Sequence, residues 1–283
     1  LALASLVRAR ERVKTPVEIV YLNDGPIPAD RLTLMERTGE VLARERLGNK
    51  RSLGTAYKLP VERNWPDGDL VWFAEDDHLY RADALTGLVA SSSTWPEADY
   101  FALYASFGAR GSASPLEQDA TQDLTWIPND WRDSEPRAVN RHPWRRALSY
   151  TCSFGGRASA IKRDQLALKV GLYGGGAFDV TTCLLLAGFT PYSLPLLIEP
   201  LRTPTSFKRR LRGIAVAGVR AGVDAFQIAR RGPHRLLIAP EPALATHLEA
   251  DHLAIGTDWT EIAREVTRWM RAGAGLNDSA STS

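Results

Sequence analysis

The sequence predicts an α/β fold, a mixed and mostly parallel sheet flanked by helices. Three observations carry that prediction. Apolar runs of strand length alternate with stretches of helical spacing, and those runs end in polar or acidic residues. The chain also has 283 residues, 44% of them hydrophobic, which is enough to bury one large core.

Taken in order, Leu3, Leu6 and Val7 fall at helical spacing, and the chain starts inside that pattern without a Met, so preceding residues are expected to be missing. Val17 to Leu22 reads as a buried strand, ended by the turn residues Asn23-Asp24-Gly25-Pro26. Residues 29–47 carry Leu32, Met35, Val41 and Leu42 among charges, with Asp30 near the start and Gly48-Asn49 past the end, which are helix boundary signals. A further helix is expected over 55–62. Pro66-Asp67-Gly68 then turns the chain into the apolar run 69–74, a second strand leading straight into Glu75-Asp76-Asp77-His78. Ligands of such sheets gather outside the carboxyl ends of the strands, so Asn23-Asp24 and the acidic triplet are expected to face one crevice.

Residues 81–90 read as helix, 100–105 as strand, and 108–146 as an irregular, Trp-rich stretch. Residues 166–172 form a short helix or strand, Gly174-Gly175-Gly176 a hinge, and 178–187 an apolar helix closed by Gly188, with Asp179 at its start. A basic, helix-compatible segment spans 207–231, and the apolar run 236–239 leads through prolines to Thr246-His247. The last ten residues predict a disordered tail.

Charge and cysteines narrow the function. The 35 Lys+Arg nearly balance 33 Asp+Glu, a net charge of +2, which argues against a dedicated nucleic-acid binder. Cys152 and Cys183 lie far apart with no CxxC spacing, as buried thiols in a reducing compartment would. No run of about 18 uncharged apolar residues predicts a spanning helix, and the opening stretch is not a signal peptide, so the sequence reads as cytoplasmic.

Three consecutive carboxylates at a partly enclosed strand end repel one another and call for positive charge. A hard divalent cation answers that need, since Mg²⁺ or Mn²⁺ takes one or two carboxylates when a diphosphate and water supply the other ligands. Asp77 is the preferred direct ligand and Asp76 the next; a solvated helix cap is the alternative.

Phe73-Ala74-Glu75-Asp76-Asp77-His78-Leu79 resembles the aspartate-rich metal motif of GT-A fold glycosyltransferases of the family 2 kind, in the Glu-Asp-Asp form of N-acetylglucosaminyltransferases. Order and spacing extend the resemblance: a strand ending in an acidic turn at 17–25 precedes the metal strand by about fifty residues, and fainter similarity runs to about residue 260. The resemblance implies a Rossmann-like GT-A sheet, here without its first strand. It implies that residues 1–105 form a nucleotide-sugar half, 106–260 the acceptor-binding and catalytic half of the same domain, and 261–283 a C-terminal helix and tail.

By the same resemblance Asn23 and Asp24 contact base or ribose, Asp76 and Asp77 meet ribose and metal-diphosphate, and Arg51 in the loop 48–52 lies near base or phosphate. A plain turn and a solvated loop are the alternatives for these positions. An inverting transfer needs a carboxylate to take the acceptor proton, and Asp179 stands where inverting relatives carry it, with Phe178 in place of the usual preceding acid. Its alternative is a helix-start aspartate. His247 is similar to the C-terminal histidine that completes the metal shell, with His252 a competitor. Trp126, Trp131 and Trp144 are expected either to stack on an acceptor sugar or to anchor a loop.

The expected activity is metal-dependent transfer of a hexosyl or N-acetylhexosaminyl group from a UDP- or GDP-sugar to a hydroxyl of a carbohydrate, lipid-linked or small-molecule acceptor, with Mn²⁺ or Mg²⁺ as cofactor. A sugar-nucleotide nucleotidyltransferase and a noncatalytic nucleotide-binding protein are the alternatives. For 207–231 a solvated helix, a lid over the diphosphate and a peripheral contact with the inner face of a membrane remain open.

Overall fold

A computed structural model describes residues 1–106, 134–150, 153–174, 178–202, 206–230 and 234–272. Trp126, Trp131, Cys152, Gly175, Gly176, Arg231 and the C-terminal tail lie outside the described residues.

Helix α1 (Ala2–Glu11) buries Ala4, Val7 and Ala9 and leads to strand β1 (Val20–Asn23). The helix expected over 29–47 is two elements, α2 (Ala29–Thr38) and β2 (Glu40–Ala43), with β2 parallel to β1. Gly39 between them lies so close to the Ile19 carbonyl that a side chain there would collide with it, and the Glu40 amide donates to that carbonyl at 2.9 Å. The Gly48-Asn49 signal opens a helix rather than closing one. Gly48 (φ 78°) is the N-cap of α3 (Asn49–Glu62), which starts six residues before the helix expected over 55–62.

Strand β3 (Leu70–Phe73) follows, then the acidic turn, the short β4 (His78–Tyr80), α4 (Ala84–Thr94), β5 (Tyr100–Ala102) and β6 (Ala105–Ser106). Residues expected to be irregular before 146 contain β7 (Arg137–Val139) and β8 (His142–Arg146), an antiparallel pair turned at Asn140, whose φ is 53°. Trp144 lies in β8 and is fully buried, so it is a core residue and no sugar platform. Next come β9 (Ser149–Tyr150), β10 (Phe154–Arg157), α5 (Ala158–Arg163), α6 (Gln165–Tyr173) and α7 (Phe178–Ala187). The chain continues through α8 (Leu194–Arg202), α9 (Phe207–Arg230), β11 (Leu237–Pro240), β12 (Ala245–His247), a 3₁₀ turn at Ala250–His252 and α10 (Trp259–Arg271).

The largest sheet has six strands in the order β3-β10-β5-β11-β8-β7. It is mixed, as expected, but the balance within it differs from the mostly parallel reading. Only β5 and β11 run parallel there, and the other four pairings are antiparallel. The remaining strands form the pairs β1-β2, β12-β4 and β6-β9.

Side-chain alternation sends successive residues to opposite faces of this sheet. Tyr100, Ala102, Leu237 and Ala239 join one core with residues of α3, α5, α6 and α7. Phe101, Leu103 and Ile238 join the other with residues of α1 and α4. Helices therefore cover both faces. Between α5 and α6, Asp164 is 2% exposed and accepts from Arg230 at 2.6 Å, from Arg235 at 2.7 and 3.2 Å, and from the Tyr100 hydroxyl at 3.0 Å. One buried carboxylate thus ties the α5-α6 junction to β5, the end of α9 and the approach to β11.

Candidate functional site

Strand β3 alternates, with Val71 and Phe73 buried, and the chain then leaves the edge of the six-stranded sheet at Ala74. The departure is anchored: the Glu75 amide donates to Ser153 Oγ at 3.1 Å, on the residue just before β10. Asp76 and Asp77 form a turn, and the chain re-enters as β4. The Trp72 indole donates to the Tyr80 hydroxyl at 3.3 Å, and burial pushes that phenol up to about 12. The Tyr80 amide donates to Ser5 Oγ on α1 at 3.0 Å, so β4 is fixed from two sides.

The register of β4 with β12 makes the site. The two strands are antiparallel, with Tyr80 opposite Ala245, Leu79 opposite Thr246 and His78 opposite His247. Side chains directly opposite in such a pair share a face and lie within reach of each other. The two imidazoles meet edge to face, 5.2 Å between centroids. Asp77, one residue before His78, comes between them: Oδ1 lies 2.7 Å from His78 Nδ1 and Oδ2 lies 3.0 Å from His247 Nε2. The Leu248 amide closes the corner on the Asp77 carbonyl at 2.8 Å. Residues 170 positions apart in sequence are thus placed on one carboxylate.

Protons can be assigned from the donors. The Glu249 amide donates to His247 Nδ1 at 3.2 Å, which leaves the imidazole proton on Nε2, where it is donated to Asp77. Asp77 accepts from both rings, and its carboxyl is held below the ordinary range chiefly by the hydrogen bond from His78. Glu249 Oε2 lies 3.6 Å from His252 Nε2 and 4.0 Å from His247 Nδ1, so a second carboxylate backs the pair. The His252 carbonyl is held by the Tyr104 hydroxyl at 2.7 Å.

Glu75, Asp77 and His78 each offer a ligand atom, all within 4.8 Å of one another, and His247 adds an imidazole on the far oxygen of Asp77. Two carboxylates with imidazole nitrogen form a donor set that could hold a metal ion. Asp76 is exposed in the turn. Glu75 and His78 are members of the cluster that sequence reasoning did not assign as ligands. Their adjacency to Asp77 was visible, whereas the strand register that sets His78 against His247 was not.

Among the described residues, no hydrogen bond or ion pair joins Asn23, Asp24 or Arg51 to this cluster. The Asp24 carboxylate accepts from the amides of Leu47 and Gly48, at 2.5 and 2.6 Å, and from Ser52 Oγ at 3.0 Å. These bonds, the Leu47 amide first, hold its carboxyl below the ordinary range. Asp24 therefore organises the loop that starts α3. Asn23 pairs through its carbonyl with the Arg44 amide at 2.8 Å, and Arg51 is exposed on the first turn of α3. Next to them, at the carboxyl ends of the parallel strands β1 and β2, an open cleft of ≈ 300 Å³ is lined by Gly25, Pro26, Arg44, Glu45 and Arg46.

Asp179 sits in the first turn of α7, where its Oδ1 accepts from the Val180 amide at 2.8 Å and burial raises its carboxyl above the ordinary range. Among the described residues no hydrogen bond or ion pair joins Asp179 to the Asp77 cluster. Cys183, on the same helix, is buried, and burial pushes its thiol well up.

No protein-family model, curated protein or solved structure matches the chain.

Proposed function

We propose that the protein is a metal-dependent glycosyltransferase that moves a sugar from a nucleoside diphosphate donor to a hydroxyl acceptor with inversion. The observation that carries this reading is the contact between Asp77 and His247, 3.0 Å apart. The acidic motif and the C-terminal histidine are the two halves of the metal shell that the motif resemblance implies, and they meet across one strand pair.

In this reading Asp77 and His247, with Glu75 beside them, hold Mn²⁺ or Mg²⁺, and Asp76 faces the donor's ribose. When bound, the cation neutralises the charge that develops on the departing diphosphate. Use of His247 Nε2 as a ligand requires its proton to move to Nδ1, which then exchanges the Glu249 amide for the Glu249 carboxylate 4.0 Å away. His78 is fully buried and fixes the orientation of Asp77.

In this reading the cleft at the ends of β1 and β2 seats the nucleotide, with its lining Arg44 and Arg46, and Arg51 on the first turn of α3, as cations for phosphate, and Asn23 two residues before the lining Gly25. Asp179 takes the acceptor proton as the acceptor oxygen attacks the anomeric carbon and the bond to the diphosphate oxygen breaks. Its raised carboxyl suits a group that must hold a proton in passing.

Release of nucleoside diphosphate from a panel of UDP- and GDP-sugars, with and without Mn²⁺, tests the activity. The expected result is metal-dependent release that Asp77→Ala abolishes. Asp179→Asn should lose turnover while retaining nucleotide binding. Metal-independent binding with no turnover on any donor would favour the noncatalytic alternative.

A further inference from the structure

Helices α8 and α9 form a hairpin, and α9 carries apolar side chains on its outer face as well as its inner one, whereas an ordinary surface helix exposes its polar side. The side of α9 that faces the protein packs Val223 and Phe226 beside Leu185 and Tyr192 and adds polar anchors to them. Arg220 reaches the Leu196 carbonyl and Glu199 on α8 and lies 5.2 Å from the Tyr192 ring centroid. Asp224 accepts from the Tyr192 amide at 3.2 Å, Gln227 is buried, and Gly213 lies against the Pro200 backbone so closely that a side chain would not fit.

The opposite side is apolar and uncovered. Phe207, Leu211 and Ile214 stand at positions i, i+4 and i+7, exposed by 78%, 52% and 54%. The same stripe continues along the exposed Gly218, Ala221, Ala225 and Ala229. On α8, Leu194 is 70% exposed.

Charge decides what covers this stripe. Lys208 and Arg210, both exposed, flank the stripe, Arg209 and Arg212 lie farther round the helix, and no acidic residue occurs from 207 to 223. A second copy of the chain would bring the same cations and no acid within that span to meet them. An anionic bilayer supplies both missing complements, acyl chains for the stripe and phosphate or carboxylate headgroups for the flanks. No helix among the described residues is long and apolar enough to cross a membrane, so such a contact lies in the plane of the interface.

We infer that α9 rests on an anionic lipid surface, with Phe207, Leu211 and Ile214 entering the acyl boundary and Lys208 and Arg210 on the headgroups. The proposal is independent of the sugar-transfer reading, since none of these residues belongs to the Asp77 cluster or the arginine cleft.

Cosedimentation of the full chain with vesicles of neutral phosphatidylcholine, and with vesicles in which about a third of the lipid is phosphatidylglycerol, tests it. Binding is expected only to the anionic vesicles, with release at high salt. Phe207→Ser with Leu211→Ser should weaken it by about tenfold or more. Lys208→Gln and Arg210→Gln should each weaken it by about fivefold. These side chains are exposed, so the melting midpoint of the variants should match the parent and separate lost binding from lost folding. Absence of binding by the well-folded parent would overturn the proposal. So would equal binding to neutral vesicles, or concentration-dependent dimerisation that the Phe207 and Leu211 variants abolish without any vesicle binding, which would assign the stripe to a second copy.

Discussion

Asp77 shares its two oxygens between two imidazoles that also meet each other edge to face. His78→Ala removes a fully buried ring and one of these bonds. It should destabilise the fold by about 2 kcal/mol, read from denaturant unfolding. The two perturbed carboxyls have opposite consequences with pH. Asp77 is lowered in the fold, so its contribution is fully present above the ordinary carboxylate value of 3.8 and disappears as pH falls through its folded value. Asp179 is raised by burial, so its favourable contribution exists below 3.8 and disappears as pH rises through its folded value. Asp179→Asn keeps the oxygen that accepts from Val180 and removes the buried charge. Its melting midpoint should therefore exceed the parent's at about pH 7 and match it near pH 3. A lower midpoint at neutral pH would contradict the burial account.

Among the elements, those with one dominant signal were legible in the sequence: β1, β3, β5, α7 and α9 fall on segments whose apolar runs or helical spacing name them. The misread segments are those where two signals compete. Val41 and Leu42 fit the helical spacing set by Leu32 and Met35, yet they form β2, because Gly39 allows an approach to Ile19 that no other residue permits. β10 escaped notice since Gly155 and Gly156 have no side chains to give a strand pattern. Those glycines are required there: a side chain at Gly155 would strike the Val71 carbonyl and Trp72, and one at Gly156 would strike Tyr100. The acidic motif and its C-terminal histidine were legible as separate pieces. Their meeting was not, because β4 is three residues long and its pairing with β12 leaves no periodic trace. Helices α6 and α7 meet at Gly171 against Thr182, closer than a methyl group tolerates. Gly171→Ala should cost about 1–3 kcal/mol despite the better helix propensity of alanine, and an unchanged or higher midpoint would show that the helix pair can part.

At the scale of the whole molecule, Asp164 joins elements that the sheet alone does not bind together. Removing it leaves two largely buried guanidinium groups, Arg230 and Arg235, without their shared carboxylate, and the Tyr100 hydroxyl without its acceptor. Asp164→Ala should destabilise the protein by about 3–5 kcal/mol, whereas an effect under about 1 kcal/mol would mean that the arginines find other partners. The fold carries its candidate chemistry at strand ends: the arginine cleft at β1 and β2, and the Asp77 cluster at β3, β4 and β12. The central claim is that the cluster is a divalent-metal site joined by His247. The most direct measurement is the melting midpoint with Mn²⁺, alone and with UDP or GDP, for the parent, Asp77→Ala and His247→Ala. The parent is expected to rise by several degrees, most with nucleotide present, and both variants to show little or no rise. A rise of equal size in Asp77→Ala would contradict the assignment.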